Sequence, residues 1–550
     1  MFCMPSQLRF LFATLCAHCG VQRPLELWER FKAAMCEDYL RSYSGEDSES
    51  MAMTDIQMIL AQSGIKCTDL GLPEPTDVTP HTNSVDLLQE CAFANESIAK
   101  LNPEQQRLVD AVFSALRAID DGSPPTAHAL FLDGPGGSGK TMVYNTLVST
   151  FIVRHKRVAA CAWTGIAATL LRGGQTVHSL FKLPVPITDT STCAIQPSSR
   201  QAQLLRDLSL IVIDEASMVP LHALRAIDIC LRDITSVDVP FGGKIILLGG
   251  DFRQVIPVVP HGTRSSIVEN YLKRSPLWCH FETVHLIRNM RAKENEVEFA
   301  QWLLQLGNGT LNSLDMVDIP AQCTLTDDIV SSVYPDAAAD IQDRVILTPK
   351  NDVTLQLNDA ILKTVPGEPR TFLSDDSVVC DVDAEAASYP LEFLKSLTPS
   401  GMPPHRLTLK PGCIIMLLRN LDVRNGICNG TRLIVKHLHN HSIDAEVISS
   451  SQSGKRVLIP RIKLAPNDVN LPFILQRRQF PIRLAYSMTI NKAQGQTFGT
   501  VGIFLPEHVF SHGFSRISMD FTFPHFHFPG HCIFPGKVIP RHSCVHHPCD

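Results

Sequence analysis

Gly134-Pro135-Gly136-Gly137-Ser138-Gly139-Lys140-Thr141, entered from the apolar run Ala129 to Leu132, fills every fixed position of the pattern G-x-x-x-x-G-K-[ST]. The physical reading is a phosphate cradle. Glycines let backbone N–H groups converge on the α and β phosphates of a nucleoside triphosphate, Lys140 reaches the β and γ phosphates, and the Thr141 hydroxyl is placed to hold Mg²⁺. The segment Met142 to Phe151 reads as a helix whose positive N-terminal end faces the anion. A chance glycine-rich turn could supply the spacing, but not Lys-Thr together with a strand before the loop and a helix after it. The cofactor-binding set is therefore Gly134, Gly136, Gly137, Ser138, Gly139, Lys140 and Thr141, for ATP and Mg²⁺.

A carboxylate site follows downstream. Leu210-Ile211-Val212-Ile213 is a short apolar run of the kind buried in a parallel sheet, and it ends in Asp214-Glu215-Ala216-Ser217. A carboxylate at a strand end holds the metal and its neighbour polarises the attacking water, which assigns Asp214 to Mg²⁺ and Glu215 to the general base. Adjacent acids at a strand end also occur as ordinary surface loops; the phosphate loop upstream is what decides between the readings. Lys244 to Leu248 leads into the polar cluster Gly249-Gly250-Asp251-Phe252-Arg253-Gln254, and Arg157 to Ala162 ends in Trp163-Thr164-Gly165. The repeated rhythm of strand, polar tip and helix predicts a doubly wound α/β sheet with its tips gathered on one edge.

The ordered set GPGGSGKT, CAWTGIAA, IDEAS, GGDFRQVIPV, NMRA and AYSMTINKAQGQTF resembles the petite-integration-frequency (PIF) family of superfamily-one ATP-dependent DNA helicases. Tyr389-Pro390 to Leu433, with SLTPSGMPPHRL and MLLRNLDVRNGICNGTRLIV, is more particularly similar to the helicase part of Helitron transposons. The resemblance runs from about Leu101 to about Phe510. It implies two RecA-like P-loop NTPase domains, a small β-barrel inserted in the second, and an ATP-driven motor. That motor would step 5′ to 3′ along single-stranded DNA and separate duplex junctions, in DNA repair, recombination, telomere maintenance or Helitron transposition. A transposon-encoded nuclease is a candidate partner, and the nucleus is the location expected from function.

Carried over position by position, the resemblance implies that Gln105 reads the adenine and Gln254 senses the γ phosphate. Arg291 would reach that phosphate from the second domain. For DNA contact it implies Trp163, Thr164 and His178 in the first domain and Thr489, Lys492 and Gln494 in the second. Phe252 is a candidate stacking residue, with a core phenylalanine beneath the loop as the equal alternative. The net charge of −6 does not exclude a DNA partner, because a strand is held by one local basic groove rather than by a basic surface.

Hydrophobic content of 44% with 19% charged residues describes a globular chain, and no apolar run is long enough to span a bilayer. The apolar run Phe10 to Cys16 reads as a buried helix. Seventeen cysteines in a chain of this length read as reduced thiols. Cys16-Ala17-His18-Cys19 has metal-ligand spacing but lacks the matching pair that a closed zinc site needs. A kinase acceptor site and a guanine-reading N-K-x-D are both missing from the expected places.

The domain order expected is as follows: residues 1–95, a mainly helical segment with helical patterns at Leu25 to Leu40 and Met53 to Ser63, broken by the acidic Ser42 to Ser50 and closed by a linker at Leu72 to Asn83; 96–283, the first motor domain; 284–406 with 481–513, the second; 407–480, the inserted barrel; and 514–550, an atypical, disordered tail. Strands are expected at Cys413 to Leu418, Arg432 to Lys436 and Arg456 to Ile459, with turns at Asn425-Gly426 and Asn429-Gly430. The acidic Ser374 to Ala387 reads as an exposed loop. After Gly513 the family's Q-x-Y-V-A-L-S-R-V segment is replaced by a Phe/Pro/His-rich run, eight of the 21 histidines lie between His508 and His547, and Arg516 does not align with the family's arginine. His525-Phe526-His527 has the metal-binding spacing H-x-H without its usual surroundings. Two readings follow: a working helicase, or a transposon-derived remnant that binds ATP or single-stranded DNA without productive hydrolysis.

Overall fold

The computed structural model describes the chain apart from residues 1–3, 42–43, 76–86, 123–127, 255–263, 293–295, 311–315, 318–319, 321–323, 326–327, 336–340, 380–388, 449–452, 467–472, 507–533, 536–538 and 541–550. The chain divides into two compact units, one of residues 85–335, 343–354 and 488–550, the other of residues 1–84, 336–342 and 355–487.

The first of these units is built on a parallel sheet of β1 (Ala129–Asp133), β2 (Arg157–Ala162), β3 (Gln175–Thr176), β4 (Leu208–Asp214), β5 (Ile245–Gly250) and β6 (Phe281–His285), in the order β3-β2-β4-β5-β1-β6. Unbroken apolar runs form these strands because both faces are covered. Phe131, Ile211, Ile213, Ile246 and Leu248 join one cluster with Ala223, Leu224, Ile227 and Leu231 of the helix Leu221–Thr235. Their alternates Leu130, Leu132, Leu210, Val212 and Leu247 point to the opposite face and are equally buried. Register then lines up the strand ends: Asp133 pairs with Gly250, and Ala162 with Asp214. A second parallel pairing in this unit joins Arg344–Thr348 to Thr500–Ile503.

The other unit begins with three helices, Pro5–His18, Pro24–Cys36 and Gly45–Ala61, wrapped around Phe12, Trp28, Ile56 and Leu60. The buried helix expected over Phe10 to Cys16 is part of the first of them. Residues 45–50, expected to interrupt the helices, start the third one instead. Ser44 caps it by accepting from the Asp47 backbone N–H, and Glu46 and Asp47 sit in a first turn that favours negative charge. These helices dock on an antiparallel sheet of five strands, ordered Arg456–Pro460, Ser442–Val447, Arg432–Leu438, Ile414–Leu417 and Ile482–Leu484. Gln7 Nε2 donates to Arg456 O at 3.0 Å, and Gln62 Nε2 donates to Asp422 Oδ1 at 3.1 Å. The expected strands and the turns at Gly426 and Gly430, both at positive φ, are present. The strand Ser442–Val447, whose S-I-D-A-E-V alternates polar and apolar residues, is not among the expected strands.

Two expectations change here. The five strands pair as an open row, and among the described residues no pairing joins the edge strands Arg456–Pro460 and Ile482–Leu484 into a barrel. Residues 375–379 of the acidic stretch form a strand paired with Ile474–Gln479, because Asp376 has a buried partner. Arg477 meets the Asp376 carboxylate with two bonds of 2.8 Å, both side chains fully buried, and gives its remaining donors to Leu394 O, Leu397 O and Pro403 O. Cys16-Ala17-His18-Cys19 ends the first helix of this unit. Burial pushes the Cys16 thiol up to about 12 and Cys19 Sγ donates to Arg461 O at 3.0 Å, so these groups pack and hydrogen-bond. No cluster of metal-ligating side chains occurs among the described residues, and none of the helices among them could cross a membrane. Most of the linker Leu72 to Asn83 and His525-Phe526-His527 lie outside the described residues. In the tail only Phe534–Pro535 and Ile539–Pro540 are described, paired with Thr324–Leu325 and Met316–Val317.

Removing one member of a buried, fully hydrogen-bonded ion pair strands the other charge. Asp376→Ala should therefore lower stability by about 3–5 kcal/mol, read as a fall in the denaturation midpoint.

Candidate active site

The phosphate loop takes its shape from two left-handed glycines, Gly137 at φ 79° and Gly139 at φ 84°, the latter capping the helix Lys140–Val153. Neither position has room for a side chain. A Cβ on Gly139 would lie 2.5 Å from Gln105 Nε2, and one on Gly137 would lie 2.8 Å from Asn289 Oδ1 and 3.0 Å from Arg291 Cβ. Lys140 Nζ donates to Gly134 O at 2.7 Å, and Ser138 Oγ is buried without a hydrogen-bond partner. An unspent hydroxyl, converging N–H groups and a lysine held by a weak backbone acceptor are the donor set that a triphosphate requires.

Gln105 is the third residue of the helix Pro103–Asp120, fully buried. Its Oε1 accepts from Asn102 N at 3.0 Å and its Nε2 donates to Ser138 O at 3.1 Å. One end of the carboxamide thus props the loop and the other closes the capping box of its own helix. As placed, Gln105 positions the loop rather than presenting an edge to a base.

At the end of β4, Asp214 accepts from the Glu215 backbone N–H at 2.9 Å, and Glu215 takes a left-handed conformation, φ 57°. That twist ends the strand and turns the second carboxylate across the sheet edge. Burial pushes the Asp214 carboxyl up, against the pull of Lys140. Glu215 is raised by burial and by Asp214, while Lys140 and a hydrogen bond from Gln494 hold it down. Glu215 Oε2 accepts from Gln494 Nε2 at 2.6 Å, and Gln254 Oε1 lies 3.4 Å from the same nitrogen. Gln254 is held in turn by Asp251, which also braces Arg253. Beneath this cluster the fully buried Tyr144 occupies the space a side chain at Gly249 would need: its hydroxyl is 1.5 Å from where a Cβ would stand.

The NMRA segment closes the other side. Met290 N donates to Gly137 O at 2.8 Å, and Asn289 Oδ1 accepts from Arg291 N and Ala292 N. Arg291 is thereby set against the phosphate loop, within the same compact unit as that loop and directly after β6.

The expected DNA contacts separate into three groups. Trp163 and His178 pack with ring centroids 4.4 Å apart and planes tilted by 51°, beside Thr164, which caps the short helix Gly165–Thr169. Thr489 and Lys492 lie on the turn Ile490–Ala493, and Gly495 just beyond it packs on Ile166 and Ala167. These five residues therefore belong to adjoining segments. Gln494 does not join them, because its side chain is buried on Glu215. Phe252 does not either: it packs on Phe131, Tyr271 and Trp278 at 5.0–5.5 Å, with Lys273 over its ring. Its core alternative is the one the packing supports.

Residues 100–316 match the PIF1-like helicase family, and residues 392–438 match the 2B domain of DNA helicase Pif1. Over these two stretches the chain resembles the PIF1-like helicases. It is 27% identical to the ATP-dependent DNA helicase Pif1 of Bdellovibrio bacteriovorus over 72% of this chain and 80% of that one. To the ATP-dependent DNA helicase PIF1 of Danio rerio it is 27% identical over 76% of its own length, spanning 59% of that relative. Among solved structures it resembles Bacteroides Pif1 bound to single-stranded DNA, with a TM-score of 0.59, 23% identity and coverage of 81% and 94% of the two chains. Pif1 from Candida albicans follows at a TM-score of 0.53 and 21% identity, with 76% and 92% covered. The α/β fold with two RecA-like domains is the fold of these chains.

Asn289, Asp251 and Tyr144 escaped the sequence reading as site residues. Asn289 and Asp251 sit inside motifs that marked their neighbours, whereas Tyr144 carries no signal beyond a helical apolar position. For Phe252, a packing role predicts that Phe252→Ala lowers stability by about 2–3 kcal/mol, somewhat below the cost for a fully buried ring. The check is thermal denaturation beside a single-stranded DNA titration, in which Phe252→Leu keeps its affinity.

Proposed function

We propose that this chain is an ATP-dependent DNA helicase that couples ATP hydrolysis to 5′ to 3′ movement on single-stranded DNA. The observation that carries the reading is the convergence of Lys140, Asp214, Glu215 and Gln254 on one sheet edge. In this reading the loop N–H groups seat the α and β phosphates and Lys140 leaves Gly134 O for the β and γ phosphates. Thr141 and Asp214 would hold Mg²⁺, which supplies charge neutralisation between the β and γ oxygens. Glu215 accepts the proton of the attacking water, Gln254 contacts the γ phosphate, and Arg291 neutralises its charge. Trp163 and His178 offer ring faces to bases, while Thr164, Thr489 and Lys492 offer hydroxyl and ammonium groups to phosphates. The relatives named above are ATP-dependent DNA helicases, which favours a working motor over the binding remnant. The finer likeness to Helitron helicases rests on the stretch from Tyr389 to Leu433 alone, and nuclear residence rests on DNA as the substrate.

The purified chain should hydrolyse ATP faster with single-stranded DNA than without it. Lys140→Ala should abolish that turnover, and Glu215→Gln should retain ATP binding while losing about 10²–10⁴-fold in turnover, as expected when a general base is removed. A folded wild-type chain with no more turnover than Lys140→Ala would sink the reading.

A further inference from the structure

Gln494 sits where a strand contact could not. Its side chain is 5% exposed, its Nε2 donates to Glu215 Oε2 at 2.6 Å and lies 3.4 Å from Gln254 Oε1. Its Oε1 is also buried, and it has no hydrogen-bond partner. A buried amide oxygen without a partner is destabilising unless something donates a hydrogen bond to it. The group that fits is small, donates a hydrogen and lies beside a carboxylate acceptor.

We propose that Gln494 holds the attacking water of ATP hydrolysis, its Oε1 accepting one water hydrogen while Glu215, fixed by the Nε2 donor, accepts the other. This rests on the hydrolase reading given above and adds a residue to it. In the step, the water oxygen forms its bond to the γ phosphorus as the bond from that phosphorus to the bridging oxygen breaks. The electron pair of the broken bond leaves on ADP. The proton removed passes to the Glu215 carboxylate and from there to solvent, while the hydrogen held by Gln494 stays on the product phosphate. Two acceptors at fixed positions aim the water's lone pair, which is the orientation such a reaction needs.

The placement has a second consequence. Gln494 follows directly on the turn Ile490–Ala493, which carries Lys492 and starts at Thr489. A strand that draws on Thr489 and Lys492 therefore acts within about one turn of the amide that aims the water.

The test compares wild type with Gln494→Met, which keeps the length and removes both hydrogen-bonding groups, at saturating single-stranded DNA. The expected result is a fall in kcat of about 10²-fold, with KM for ATP and the Kd for a single-stranded oligonucleotide unchanged within about 2-fold. Gln494→Asn, which withdraws the same amide by one methylene, should fall between the two and serves if the Met variant does not fold. An unchanged kcat at saturating DNA with a weakened oligonucleotide Kd overturns the proposal and makes Gln494 a strand contact. A wild-type chain without DNA-stimulated hydrolysis overturns the hydrolase reading and this proposal with it.

Discussion

The parallel register of β1, β4 and β5 is the constraint on which the site rests. Each strand is buried on both faces, so its polar residues can stand only at its ends. Pairing Asp133 with Gly250 and Ala162 with Asp214 puts those ends level. The loop after β1, the acids ending β4 and the cluster after β5 then meet without any of them being near the others in sequence. Shifting one strand by a residue would reverse its buried faces, so the site and the core are specified by the same apolar side chains.

Close approach does the rest. The loop is clamped from below by Gln105 and from above by Asn289 and Arg291, both within van der Waals reach of glycines that hold left-handed angles. Gly249 makes room for Tyr144 under the carboxylates in the same way. These glycines are needed for what other parts of the chain place beside them.

Much of this was legible. The loop, its Lys and Thr, the strands leading into Asp214 and Gly249, and the helix at Phe10 all follow from local pattern and chemistry. The misreadings have one physical cause. Ser374 to Ala387 was read as exposed because it is acidic, yet Asp376 is buried against Arg477, a partner 101 residues away. Ser42 to Ser50 was read as a break for the same reason, although acids suit a helix's first turn. Gln494 was assigned to DNA by its motif, and Phe252 could not be resolved between strand and core.

The sequence by itself determined the chemistry available: a phosphate cradle, paired carboxylates, a parallel α/β sheet to hold them, and a resemblance to a helicase family. Those depend on spacing and residue type over a few positions, which the chain carries along its length. Only the tertiary structure decided what each polar side chain is spent on: Gln105 on the loop, Arg477 on Asp376, Gln494 on Glu215. A buried hydrogen bond is set by which groups share a low-dielectric space, and that pairing exists only once distant segments are folded against one another.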